Sequence, residues 1–139
     1  MSNRTFTIIK PDSVRKGNSG RIISRIESEG FHILGLRKIA LAQAQAEQFY
    51  AVHRERPFYG SLVEYMTSGP VYVAALQREN AVAELRKLMG ATDPAKADAG
   101  TIRKEFGESI EQNAIHGSDS DENAAIEIAF FFAQCDLSS

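Results

Sequence analysis

The chain has almost no cysteine, no tryptophan and only four prolines among its 139 residues. Because Cys135 is the single cysteine, the sequence excludes an intrachain disulfide and a cysteine-built zinc site. No apolar run reaches the roughly 18 residues of a transmembrane helix, and the polar start lacks the apolar stretch of a signal peptide. These absences predict a cytoplasmic protein that does not associate with a membrane.

A strong excess of either charge is also absent. Sixteen basic and eighteen acidic residues leave a net charge of −2 at pH 7. This balance argues against nucleic-acid binding as the main role, although a local basic patch is compatible with it. The apolar fraction of 43% and charged fraction of 24% are typical of a globular chain. The length predicts a single domain over residues 1–139.

Hydrophobic patterning predicts four strands, separated by helices. The strands are expected at 5–10, 31–39, 71–76 and 114–116, and Pro11 ends the first of them. Helices are expected from Ser19 to Gly30, over Gln43–His53, around Leu62–Met66, from Asn80 to Gly90 and over Asp119–Phe132. Asp119 and Glu122 have the spacing of a capping box at the start of the last helix.

Residues 91–113 form a long segment without a clear apolar period, apart from a helical turn expected near Thr101–Phe106. Irregular segments of this length are usually functional or disordered. Residues 133–139 form a short polar tail. The order of elements fits both a parallel α/β sheet and a two-layer α+β sheet, and the pattern alone does not choose between them.

His116 is the histidine with the most informative position. It lies between a predicted strand and a helix, followed directly by Gly117–Ser120, whereas His32 and His53 fit surface or edge positions. A helix N-terminus offers free N–H groups and a favourable dipole to an anion. A histidine can also act as a nucleophile. On the pattern alone, His116 fits a structural role equally well.

Other candidate residues have a structural interpretation or a functional one, and the pattern does not decide between them. Ser118 and Asp119 fit helix capping. Glu127 fits either a solvated helix face or a carboxylate that orients His116. The basic residues that could meet a phosphate are Lys10, Arg56, Arg86 and Arg103. Tyr50 and Phe58 fit a hydrophobic core, and the glycine-rich phosphate-binding motifs are absent.

Six collinear segments resemble nucleoside diphosphate kinases, in the forms typical of bacteria. The most specific is Asn113–Ser120, with Glu127 further along the chain. The other five are Ile8–Asp12, Arg56–Phe58, Met66–Pro70, Gly90–Pro94 and Gly100–Arg103. The resemblance extends from about Arg4 to Phe132, so a chance match of one motif does not explain it.

The resemblance implies a ferredoxin-like α+β fold, with two layers and a four-stranded antiparallel sheet. It implies an enzyme that transfers the terminal phosphate of ATP to nucleoside diphosphates and so maintains the nucleoside triphosphate pools. Mg²⁺ would arrive on the nucleotide phosphates rather than at a protein metal site. The family also implies a homo-oligomer, expected to be a tetramer built from dimers.

The same resemblance implies a role for each matching residue. His116 would be the nucleophile of a ping-pong mechanism, and the catalytic group would also include Glu127, Ser118 and Tyr50. The nucleotide-binding residues would be Lys10, Phe58, Arg86, Thr92, Arg103 and Asn113. Phe58 would stack on the base, and stacking on an aromatic ring accepts any base. The alternative is a non-catalytic nucleotide-binding module on the same fold, which would bind ATP without forming a phosphoenzyme.

Overall fold

Four strands form one fully antiparallel sheet. A computed structural model describes residues 3–138 and gives β1 as Arg4–Ile9, β2 as His32–Ile39, β3 as Val71–Gln77 and β4 as Ile115–Gly117. Their order in the sheet is β2-β3-β1-β4. The antiparallel sheet of a ferredoxin-like α+β fold is therefore confirmed, and the parallel alternative is excluded. The predicted domain also includes Met1, Ser2 and Ser139, which lie outside the described residues.

The helices follow the predicted order, with an additional short helix after the first strand. The α-helices are α1 Pro11–Arg15, α2 Ser19–Ser28, α3 Gln43–Phe49, α4 Tyr59–Met66, α5 Ala81–Met89, α6 Ile102–Phe106 and α7 Asp121–Phe131. Pro11 ends β1 as predicted, but it also begins α1, because a proline suits the first helical position, where the N–H has no helical partner. Within residues 3–138, none of the helices combines the length and apolar composition needed to cross a bilayer.

Some predicted elements differ in detail from the observed ones. The helix predicted over Gln43–His53 is an α-helix only to Phe49, and a 3₁₀ turn follows over Ala51–His53. The long segment at 91–113 contains α6, as expected, and also a 3₁₀ turn at Pro94–Lys96.

Helices cover both faces of the sheet. On one face, Phe6 and Ile8 of β1 pack with side chains from α4 and α7. On the other face, Ile9 packs with side chains from α2, α5 and α6. The division follows from the alternation of side chains along a strand. The sheet and the helices α2 and α5 on one of its faces form the two layers that were expected. The helices on the opposite face, α4 and α7, form a further layer.

The start of α7 corrects the predicted capping box. Ser120 is the N-cap, in an extended conformation, and its hydroxyl accepts a hydrogen bond from the Asn123 N–H at 3.0 Å. Asp119 lies one residue too early to cap this helix, and its carboxylate instead accepts from the Asn123 side chain at 2.7 Å. The correct cap matters for the site, because α7 carries Glu127.

Candidate active site

The side chains of His116 and Glu127 are joined by a hydrogen bond between β4 and α7. The His116 Nε2 lies 2.9 Å from Glu127 Oε1, and the buried Ser118 hydroxyl donates to the same oxygen at 2.7 Å. The Thr7 hydroxyl donates to the His116 carbonyl at 2.7 Å. A carboxylate only accepts hydrogen bonds, so in the neutral ring Nε2 carries the proton and Nδ1 has the free lone pair.

Aromatic rings pack against the His116 imidazole. The centroid of its ring is 6.2 Å from that of Phe6 and 5.8 Å from that of Phe49, both in edge-to-face arrangements. The Phe131 ring stacks on Phe6 at 5.3 Å. Neither Phe6 nor Phe49 was predicted to belong to the site. Together with the hydrogen bond to Glu127, these rings restrict rotation of the imidazole.

Tyr50 is buried next to Phe49 of this aromatic group. It is 6% exposed, and its ring centroid is 5.0 Å from that of Phe49. Its buried hydroxyl has no hydrogen-bond partner among residues 3–138. Burial, with a smaller contribution from the Glu127 carboxylate, raises the pKa of the Tyr50 hydroxyl well above its ordinary value. Tyr50 is therefore a neutral group close to Glu127.

Two arginine side chains bind the backbone on either side of His116. Arg103 donates to the Ile115 carbonyl at 2.9 Å, and Arg86 donates to the Gly117 carbonyl at 3.3 Å. Within the described chain, neither guanidinium forms an ion pair with a carboxylate. Burial and the nearby charge of Arg86 lower the pKa of Arg103 to about 10, so it stays positive at neutral pH.

Lys10 extends the same cluster of positive charges. Its ammonium donates to Asn113 Oδ1 at 2.8 Å and to the Glu111 carbonyl at 3.4 Å. Burial, followed by repulsion from Arg103, lowers the pKa of Lys10 from 10.5 to about 8. Mutual repulsion of this kind is relieved by an anion with several charges, such as a polyphosphate.

Asn113 connects the cluster to the long segment at 91–113. It is 2% exposed, and its side-chain amide donates to the Thr92 carbonyl at 3.0 Å. Thr92 itself is exposed. Because Asn113 also accepts from Lys10, one amide links the end of β1 to both ends of this segment.

Phe58 does not belong to the hydrogen-bonded group around His116; its ring contacts that of His53, with the centroids 5.5 Å apart. Its side chain is 44% exposed, so the core position that its residue type suggested is wrong. It directly precedes α4, at the end of the helix where the Ser61 hydroxyl donates to the Glu111 carboxylate at 2.8 Å. The neighbouring Arg56 is exposed as well.

A metal centre made of protein ligands is not found in the described part of the chain. No group of three or more histidine, cysteine, aspartate or glutamate side chains is arranged to hold an ion there. Asp119 is a second carboxylate near this group, and the hydrogen bond from Asn123, with a smaller contribution from the Arg86 charge, lowers its pKa below the ordinary value.

The chain is similar to known proteins over almost all of its length. The family model described as nucleoside diphosphate kinase matches residues 3–137. A nucleoside diphosphate kinase of Granulibacter bethesdensis is 61% identical over 96% of each chain, and one of Campylobacter hominis is 62% identical over 94% of this chain and 95% of the relative. The solved nucleoside diphosphate kinase of Aquifex aeolicus has a TM-score of 0.96 at 43% identity, covering 98% of this chain and 99% of that one. The halophilic enzyme of Halobacterium salinarum, solved in complex with CDP, has a TM-score of 0.95 at 38% identity, covering 100% and 93%.

The hydrogen bond to Glu127 predicts the tautomer of His116. Two-bond ¹⁵N–¹H NMR spectra should show a neutral ring protonated at Nε2, and Glu127→Ala should shift the ring towards a mixture of tautomers. Glu122→Ala, an exposed change on the same helix, is the matched control and should leave the spectrum unchanged. A native ring protonated at Nδ1 would contradict the assignment.

Proposed function

This chain belongs to the nucleoside diphosphate kinase family and is a phosphotransferase, and we propose that Nδ1 of His116 is its nucleophile. The observation that carries the proposal is the bond from Nε2 to Glu127, 2.9 Å long. That bond leaves the Nδ1 lone pair free. The carbonyls on either side of His116 accept hydrogen bonds from Arg86 and Arg103, which brings two positive charges close to the ring. A nucleophile next to groups that neutralise phosphate charge is the arrangement that phosphoryl transfer needs.

In the first half-reaction, Nδ1 attacks the γ-phosphorus of ATP. The N–P bond forms as the bond from that phosphorus to the β–γ bridging oxygen breaks, and ADP leaves with the electron pair. Nε2 keeps its proton, and the Glu127 carboxylate stabilises the positive ring that results. In the second half-reaction, a terminal oxygen of a nucleoside diphosphate attacks the phosphorus and releases the neutral imidazole. The two similar steps constitute a ping-pong mechanism.

The cationic cluster would hold the phosphates. Lys10, Arg86 and Arg103 would neutralise the charge on the phosphate oxygens, which is the main catalytic requirement of this chemistry. Thr92 and Asn113 would add hydrogen bonds to the phosphates and the ribose. Mg²⁺ would enter with the substrate as Mg·ATP, and it supplies further charge neutralisation when bound.

Phe58 would stack on the base at the rim of the site. Its exposure of 44% leaves a ring face accessible, and stacking alone does not distinguish purines from pyrimidines. Broad base specificity follows from this contact. The complex of the halophilic relative with CDP, a pyrimidine nucleotide, supports the proposal.

We also propose that the chain forms a homo-oligomer, expected to be a tetramer built from dimers. Light scattering that gives the mass of four chains would support this assembly, and the mass of one chain would contradict it. The cytoplasmic location and the absence of a dedicated nucleic-acid partner stay predictions from the sequence.

His116→Ala should abolish phosphate transfer, because it removes the attacking lone pair. We expect a loss of at least about a thousandfold in kcat, measured in a coupled assay of ADP formation. His32→Ala, an exposed change in β2, is the control and should retain native turnover. With the native chain, varied ATP at several fixed nucleoside diphosphate concentrations should give parallel double-reciprocal lines. Intersecting lines would contradict a phosphoenzyme.

Lys10 should make the nucleotide affinity depend on pH. Its pKa of about 8 means that the ammonium loses its proton as the pH rises through this value. A bound phosphate favours the charged form, so the affinity for ADP should fall about tenfold between about pH 7 and pH 9. Calorimetric titration measures the change. Lys10→Gln should bind ADP more weakly and lose this dependence, whereas the same slope in both proteins would contradict the role of Lys10.

A further inference from the structure

Ala114, which joins Asn113 to β4, has an unusual backbone conformation. Its φ is +75°, in a region that residues other than glycine rarely adopt, and the residue is fully buried. The Ile115 N–H donates to the Asn113 carbonyl at 2.9 Å across it, which closes a three-residue γ-turn. The γ-turn with positive φ is a strained form, and it persists only where the surrounding structure holds it.

The surroundings that hold this turn come from the end of β1 and the start of α1. The Ala114 N–H donates to Asp12 Oδ2 at 3.1 Å, and the Ala114 carbonyl accepts from the Lys10 N–H at 2.9 Å. Both peptide groups of the strained residue are therefore bound to a segment about a hundred residues away in sequence.

Tyr65 of α4 fixes the Asp12 carboxylate in turn. Its hydroxyl donates to Asp12 Oδ1 and accepts from the Asp12 N–H at 2.8 Å. Asp12 is fully buried and Tyr65 is 8% exposed, so this pair is shielded from solvent. Burial and the bond to Asp12 raise the pKa of Tyr65 above its ordinary value, so the phenol stays a donor at neutral pH.

We propose that Tyr65 and Asp12 are positioning residues, which act through Ala114 to align His116 with the nucleotide-binding group. Asn113, the first residue of the turn, binds the Lys10 ammonium, and His116 lies two residues after Ala114. A change of φ at Ala114 would displace these two groups relative to each other. Small misalignment of reacting groups slows a reaction strongly. The inference rests on the proposed function, since it concerns the geometry of the same phosphate transfer.

Tyr65→Phe removes the hydroxyl with the least change in shape. With saturating Mg·ATP, quenched-flow measurement of histidine phosphorylation should show a rate constant about tenfold lower, while the dissociation constant of the nucleotide changes less. Tyr59→Phe is the matched control on the same helix, because it removes a hydroxyl that donates to the Glu47 carbonyl at 3.3 Å, outside this network. The control should phosphorylate at the native rate.

Rescue by glycine separates positioning from a merely structural role. Glycine adopts positive φ without strain. Adding Ala114→Gly to Tyr65→Phe should therefore raise the phosphorylation rate constant at least about threefold above that of Tyr65→Phe alone. If the Tyr65 hydroxyl contributed only to stability, Ala114→Gly would not restore the rate. Glycine makes the unfolded chain more flexible, so it does not compensate for lost stability. The same comparison with Asp12→Asn, alone and with Ala114→Gly, provides an independent readout if Tyr65→Phe fails to fold.

A native rate in the folded Tyr65→Phe variant would overturn the inference, as would a loss that Ala114→Gly leaves unrelieved in both pairs. In either case the native chain would still become phosphorylated, and the proposed function would stand. If the native chain and the Tyr59→Phe control both failed to form phosphohistidine, the proposed function would be wrong, and the inference would be wrong with it.

Discussion

The hydrogen bond between His116 and Glu127 is the contact on which the arrangement of the site depends. It connects β4 to α7 and leaves one ring nitrogen with a free lone pair. The fold supports this contact from both sides. Ser118 binds the same carboxylate oxygen, and Phe6 and Phe49 limit the orientation of the ring. The site is thus held by elements distant in sequence, which suits chemistry that depends on exact alignment of a phosphate with its nucleophile.

The positive charges around this contact are arranged for a ligand more than for stability. Lys10 and Arg103 are both buried, lie close enough to repel each other, and bind oxygens of amide groups in place of carboxylates. Burying unpaired cations is unfavourable for folding. A nucleotide polyphosphate would offset that cost. Conflicts of this kind between local stability and arrangement are expected mainly at functional sites.

The strands and most of the helices could be predicted from the sequence, because they have clear hydrophobic periods, whereas the antiparallel arrangement of the strands was implied only by the resemblance to a family. The site could be predicted in part. His116 precedes the start of a helix, and the six segments that resemble the family contain most of the polar residues of the site. The exposure of Phe58 and the link from Tyr65 through Asp12 to Ala114 depend on tertiary contacts, which no local pattern encodes. The capping of α7 by Ser120 is a local contact, and it was missed because Asp119 offers the same capping chemistry one residue earlier.

The most direct test of the account is an intact-mass spectrum of the protein after brief exposure to Mg·ATP, repeated after the addition of GDP or CDP. We predict a gain of one phosphoryl group that is labile to acid, absent in His116→Ala, and removed equally by either diphosphate. A protein that binds ATP without this gain, or that carries the phosphoryl group on a residue other than His116, would contradict it.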